Sequence, residues 1–170
     1  MEKGSSISDV LIGAAIIIFI ILPVFSAVVE RYILFAKVQI IKDAVDITNI
    51  SAYNALKTDS LGKTTVDFHN DKISGIYKKI LAGNMKLDLD LNPTESSVAD
   101  DTVIIKSIII YTENIPNICP YGTSILRPAV HSCIVVPVKP TIYSRIIRKI
   151  TGKNTFKLEV HVDSDIPINN

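Results

Sequence analysis

The chain has 170 residues, room for one modest domain beyond an anchoring segment, and its charges nearly cancel, 18 Lys and Arg against 17 Asp and Glu. Basic and acidic residues are interspersed with no arginine-rich stripe, so nothing marks a nucleic-acid partner. Aromatics are only 6% of the chain and tryptophan is absent. Isoleucine carries much of the apolar content and favours strands outside a membrane.

Residues Met1 to Gly4 form a short polar leader, followed by Ser5-Ser6-Ile7-Ser8-Asp9. From Val10 to Val29 the chain then runs twenty residues without a charge, closed by Glu30 and Arg31. At ~1.5 Å per residue this run spans roughly 30 Å as a helix, the thickness of a bilayer's hydrocarbon core. Pro23 is expected to bend or loosen that helix, which a membrane span tolerates. Gly13, Ala14 and Ala15 give a small-residue face where another helix can approach. Ordinary signal-peptide removal fits poorly, because cutting after Ala27 puts the bulky Phe25 where a small residue is needed.

Glu30 to Lys57 contains no Gly or Pro and keeps apolar residues at helical spacing, among them Ile33, Leu34, Ile40, Ile41, Ala44, Val45 and Ile47. One helix from about Ser8 to Lys57 is expected, with Ser8 or Asp9 at its start. Thr58 to Thr65 reads as a loop and Val66 to Phe68 as a short strand. Asn70 and Asp71 cap a helix to about Ala82, its apolar face Ile73, Ile76, Tyr77, Ile80 and Leu81, with Gly83-Asn84 as its stop. Lys86 to Leu91 alternates and reads as a strand with Leu87, Leu89 and Leu91 inward, Asp88 and Asp90 on a solvated face.

Thr102 to Tyr111 is expected as the central strand. Ser132 to Val138 is a second strand, Thr141 to Ile150 a short helix stopped by Gly152, and Thr155 to Val162 a final alternating strand. Cys119 and Cys133, with thirteen residues between them in a loop with Pro120, Gly122 and Pro128, suit one disulfide outside the cytoplasm; two free thiols are the alternative. Such a bridge would stabilise the fold by about 3 kcal/mol. A zinc site would need His131 and a fourth ligand at a spacing that is not a metal spacing, so no metal is expected.

No G-x-S-x-G, phosphate-binding glycine loop or H-E-x-x-H is present, and His69, His131 and His161 lie in separate segments. Either cysteine with His131 could form a nucleophile pair, but a disulfide accounts for both more simply. No enzyme activity and no cofactor are expected.

Gly4 at a cut site, an acid five residues on at Asp9, and an apolar run directly after it resemble the processing signature of type IV pilins and pseudopilins. That family usually carries glutamate where this chain has Asp9. The C-terminal order in IVVPVKPTIYSRIIRKITGKNTFKLEVHV is similar to that of TadE/TadF-type pseudopilins, minor subunits of tight-adherence (Flp) pilus systems. The resemblance covers both ends, about half the chain, and residues 58–100 carry no family motif. It implies cleavage of Gly4-Ser5 by a prepilin peptidase, and Asp9 neutralising the new amine on Ser5, often that of a neighbouring subunit. It also implies as partners other pilin subunits, the pilus assembly platform and the lipid bilayer.

The expected architecture is α+β: a leader at 1–4, a long helix at 5–57 with its membrane span at 10–29, and a head at 58–170 with an antiparallel sheet. The expected location is the cytoplasmic membrane in a single pass, with the head extracytoplasmic and the subunit incorporated into a pilus. Lys3 on one side against Arg31, Lys37 and Lys42 on the other would by the positive-inside rule place the head in the cytoplasm. The cysteine loop and the leader argue for the opposite side. A membrane-anchored extracytoplasmic binding or sensor domain unrelated to pili is the rival reading.

Overall fold

From Lys3 to Asp59 the chain is helical without a gap, in a computed structural model that describes residues 3–59, 71–112 and 115–166. Helix α1 (Lys3–Ile16) passes through a π-helical turn, Ile17–Ile21, into α2 (Leu22–Asp59). Together they are roughly 85 Å long at the standard rise. The helix begins earlier than expected, so Ser8 and Asp9 lie inside it rather than capping it. Nothing between Ser5 and Asp9 interrupts a helix, and a glycine in the first turn costs little there.

The π turn is the response to Pro23. A proline has no N–H for the carbonyl four residues back and its ring crowds that carbonyl. Just before it the ladder widens, and the Leu22 N–H reaches the Ile17 carbonyl, five residues back. The helix is loosened where proline demands it and is otherwise continuous.

Along its first half almost every side chain is exposed, including Val10, Ile18, Phe19 and Phe25. The helix is long and apolar enough to cross a membrane. Its second half is buried on one face, where Ile41, Ala44, Val45, Thr48, Asn49 and Ala52 fall at helical spacing.

That face is covered by α3 (Asp71–Met85) and by a three-stranded antiparallel sheet. The sheet consists of β1 (Ile104–Tyr111), β4 (Ala129–Val138) and β5 (Phe156–Asp165) in the order β1-β4-β5. A small hairpin, β2 (Asn117–Ile118) with β3 (Ser124–Ile125), lies between β1 and β4 in sequence. A short helix, α4 (Ser144–Thr151), joins β4 to β5 and ends on Gly152, whose φ of 69° is the left-handed stop expected of it.

The core holds Ile41 and Val45 of α2, Tyr77, Leu81 and Met85 of α3, and Ile134, Val136, Val138 and Val160 of the sheet. The central strand is β4, not the strand expected at Thr102 to Tyr111, which lies at an edge. All ten residues of β4 are buried. A strand with neighbours on both sides and cover on both faces has no solvated side to show in its sequence. Pro137 is tolerated within it because the pairing with β1 ends at Val135.

Two further expectations change. Lys86 to Leu91 is a turn, not a strand. The Asp88 carboxylate accepts the backbone N–H groups of Asp90 and Asn92, both at 2.8 Å, and the Asn92 side-chain amide at 3.1 Å. Lys86 and Leu91 take positive φ, 54° and 64°. Leu87 and Leu91 are buried, whereas Leu89 is exposed. The α3 helix also runs through Gly83-Asn84 to Met85. The expected loop at Thr58 to Thr65 and strand at Val66 to Phe68 lie almost wholly outside the described residues.

Candidate functional site

The inner face of the sheet is keyed to α2 by one polar side chain. Asn49 is fully buried. Its amide nitrogen donates to Ser164 Oγ at 2.9 Å and to the Val130 carbonyl at 3.3 Å. Its amide oxygen accepts from Ser132 Oγ at 2.8 Å and from Tyr77 Oη at 3.0 Å. One residue thus ties α2 to α3, β4 and β5, and its donors and acceptors are satisfied as burial requires. Burial pushes the Tyr77 phenol up to about 12, against a smaller lowering by Ser132. Beside it the Asn84 amide donates to Thr48 Oγ1, which in turn donates to the Ala44 carbonyl. The sequence reading missed Asn49 as a functional position. The signal was there: a polar residue on the stripe of Ile41 and Val45.

The outer face of the sheet gathers both cysteines and two histidines. Alternation along β4 and β5 puts His131 and Cys133 on the face opposite the helix, paired across the ladder with Asp163 and His161. The loop before β4 folds over them. Gly122, at φ 85°, closes a turn in which its N–H donates to the Cys119 carbonyl at 2.9 Å. That turn stacks Tyr121 on His161, ring centroids 4.4 Å apart and planes 4° from parallel.

Two clusters result. In the first, Tyr121 Oη donates to the Glu159 carboxylate and lies 2.9 Å from Cys133 Sγ. Lys106 reaches over from the irregularity in β1 to the same carboxylate at 2.6 Å. The Lys106 and Tyr121 hydrogen bonds hold Glu159 down to about 2. Burial, with the Glu159 carboxylate, pushes the Cys133 thiol up, against the Tyr121 hydrogen bond. A thiol held protonated is a poor nucleophile.

In the second cluster His131 Nδ1 lies 2.6 Å from Asp163 Oδ1 with the imidazole fully buried. Cys119 joins them, one donor atom from each of the three lying within 4.8 Å of the others. Thiol, imidazole and carboxylate are ligands a divalent ion such as zinc accepts. The 2.6 Å separation is a hydrogen bond, however, and is shorter than the roughly 3.3 Å that two ligands of one tetrahedral zinc keep at ~2.0 Å bonds. His131 Nε2 has no hydrogen-bond partner among the described residues, so neither thiol is paired with it as a nucleophile is paired with a base. The arrangement is a buried His-Asp pair with a thiol alongside.

Cys119 and Cys133, expected as a disulfide, are both free and buried. Each belongs to a different cluster: Cys119 with His131 and Asp163, Cys133 with Tyr121 and Glu159. The loop between them spends its length laying Tyr121 over the sheet.

The expected processing residues lie at the far end of the molecule. Gly4 and Ser5 are in the first turns of α1, and Asp9 is exposed on the same helix. Positions 5 and 9 are one turn apart on one face.

The head is fastened to the long helix where the apolar run ends. Glu30 is buried, and its carboxylate accepts the backbone N–H of Thr141 at 2.8 Å and that of Ile142. Tyr143 Oη donates to the Pro23 carbonyl at 2.7 Å. Lys37 Nζ donates to the Lys139 carbonyl at 3.1 Å and pairs with Asp100 at 3.5 Å. No protein-family model, curated protein or solved structure matches this chain.

Proposed function

We propose that this chain is a type IV pilin-like structural subunit of the TadE/TadF kind, held in the membrane by its N-terminal helix and packed through that helix into an Flp-type pilus or related secretion filament. The observation that supports it most is the uncovered side of α2. Beyond the apolar run the head buries one face, while Tyr32, Phe35, Ile40 and Ile47 stand exposed on the opposite arc, at 69%, 70%, 57% and 54%. Gln39 and Asp43, hydrogen-bonded to each other at 2.8 Å, interrupt this arc, but four large apolar side chains exposed alongside the head, in continuation of the membrane run, offer a surface that a neighbouring copy's helix can cover.

In this reading the peptidase cuts Gly4-Ser5, and Asp9 neutralises the new amine, its own one turn away or that of a neighbour. A carboxylate beside an apolar run is costly to bury unless it is paired. The head stands outside the cytoplasm, and the sheet's outer-face groups act as structural clips.

Cross-linking in native membranes tests the packing. Both native thiols are buried, so a Gly13→Cys chain carries one accessible thiol on the small-residue face. Oxidation is expected to give disulfide-linked dimers, and bifunctional cross-linking through added Ile40→Cys a ladder of higher species. Monomer alone at native expression would remove the filament reading and leave an anchored domain.

A further inference from the structure

We propose that α4 and the residues flanking it form a membrane-surface site for the phosphate headgroup of an anionic phospholipid. The proposal rests on the membrane anchoring in the function proposed above, and concerns a different part of the chain.

Position comes first. The Tyr143 hydroxyl on the Pro23 carbonyl and the Glu30 carboxylate on the Thr141 and Ile142 N–H groups fasten the start of α4 to the last turns of the apolar run. Pro23 and Glu30 are roughly 10 Å apart along a helix axis. With Val10 to Val29 in the bilayer, α4 therefore leaves the long helix at the membrane-water boundary. Tyr143, with an apolar ring and a polar tip, suits that depth.

Composition agrees. Ile142, Ile146 and Ile150 recur every fourth residue and stand exposed at 44%, 53% and 78%. On a soluble surface such a stripe on so short a helix has nothing to cover it. Arg145 and Lys149 flank the stripe and Arg148 lies further round, while the segment from Lys139 to Lys153 contains no acid. An apolar stripe with a basic flank is the pattern of a helix lying in the interface plane.

A recess supplies the headgroup site. An open cavity of about 290 Å³ is lined by Lys139, Ser144, Arg145, Arg148 and Asn154. Three cations and two neutral polar side chains suit a phosphate, to which guanidinium forks bond in pairs. Asp100 and Asp101 line an adjoining recess that shares Lys139 and Asn154 with this one, and the Asp100 carboxylate accepts the Lys139 backbone N–H at 2.6 Å, so the anion is held chiefly by Arg145 and Arg148. A free phosphate would use the cations alone. Ser144 and Arg148 lie on the side of α4 turned away from Ile146, so with the isoleucine stripe in the acyl boundary the recess stands above it at phosphate height, as a molecule that carries acyl chains below its phosphate requires.

The chain has no tryptophan, so an Ile146→Trp variant carries a single reporter on α4, and Phe25→Trp a single reporter in the apolar run. Each full-length variant is reconstituted in phosphatidylcholine vesicles with and without phosphatidylglycerol, and quenching by brominated acyl chains is read. The proposal expects Phe25→Trp quenched in both. It expects Ile146→Trp blue-shifted and quenched at shallow depth with phosphatidylglycerol, and much less so without it. Adding Arg145→Glu and Arg148→Glu, at exposed positions, should lower the docked-to-undocked ratio by roughly fivefold or more per basic residue lost.

Ile146→Trp emitting as in water in both vesicles, with Phe25→Trp quenched, overturns the site alone. Phe25→Trp unquenched overturns the anchoring and the site with it. Equal docking on neutral vesicles overturns the headgroup assignment. So does release by inorganic phosphate at the concentration of the lipid phosphate, which would make this a soluble-anion site.

Discussion

The Glu30 carboxylate accepts the backbone N–H of Thr141 at 2.8 Å, across 111 residues of chain, and so fixes where the head meets the apolar run. Two backbone donors depend on one buried side chain there. Glu30→Ala removes both hydrogen bonds, and because Thr141 and Ile142 are themselves exposed, water replaces the partner in part, for a loss of about 1 kcal/mol per bond. The expected result is a lower urea midpoint in detergent, with Glu30→Gln between the variant and the parent. An unchanged midpoint for Glu30→Ala would mean the junction is not held this way.

Asn49 is the polar hub of the interior. Asn49→Leu keeps a similar volume but strands Ser132, Tyr77 and Ser164, so a loss of at least about 2 kcal/mol is expected in equilibrium unfolding. Asn49→Asp should be no better, since it adds a buried charge and replaces the donating amide with an acceptor.

Acid and alkali act on different groups. Glu159, held at about 2 in the fold against ~4.3 in a free chain, favours the folded state above pH ~4.3. That contribution is lost as pH falls toward 2, because the unfolded chain takes up the proton first. Glu159→Gln should flatten the stability profile over that window. Tyr77, raised to about 12 by burial, works the other way: its contribution is intact below pH ~10 and is lost as pH rises toward 12. Tyr77→Phe should flatten that limb, and a profile as steep as the parent's would contradict the assignment.

Free buried thiols predict a plain labelling result. Under non-reducing conditions, maleimide should modify neither Cys119 nor Cys133 in the folded chain and both after denaturation. A denatured chain that takes no label would mean the two are bridged after all.

Where periodicity was local, the sequence told the structure well. The long helix, α3, α4 with its Gly152 stop, and β5 all lie close to where spacing placed them. The KLDLDL stretch misled because its alternation is that of a strand, while Asp88 collects three hydrogen bonds that a strand cannot offer and folds the stretch back. The central strand was mistaken because the isoleucine run in β1 looks more buried than β4, whose His131 and Ser132 conceal its place. Their burial depends on partners as distant as Asp163 and Asn49. The outer-face clusters were out of reach for the same reason: the ladder between β4 and β5 fixes them, and no local spacing encodes it. Asn49 was legible in principle, since a polar residue on an apolar helical stripe marks a buried network.

The mature N-terminus, read by mass spectrometry on protein extracted from its own membrane, tests the central claim most directly. The account predicts a chain beginning at Ser5, and accumulation of the uncut form in Gly4→Leu. A chain that keeps Met1 to Gly4 in the assembled membrane protein would contradict prepilin-type processing and, with it, the pilin-like reading.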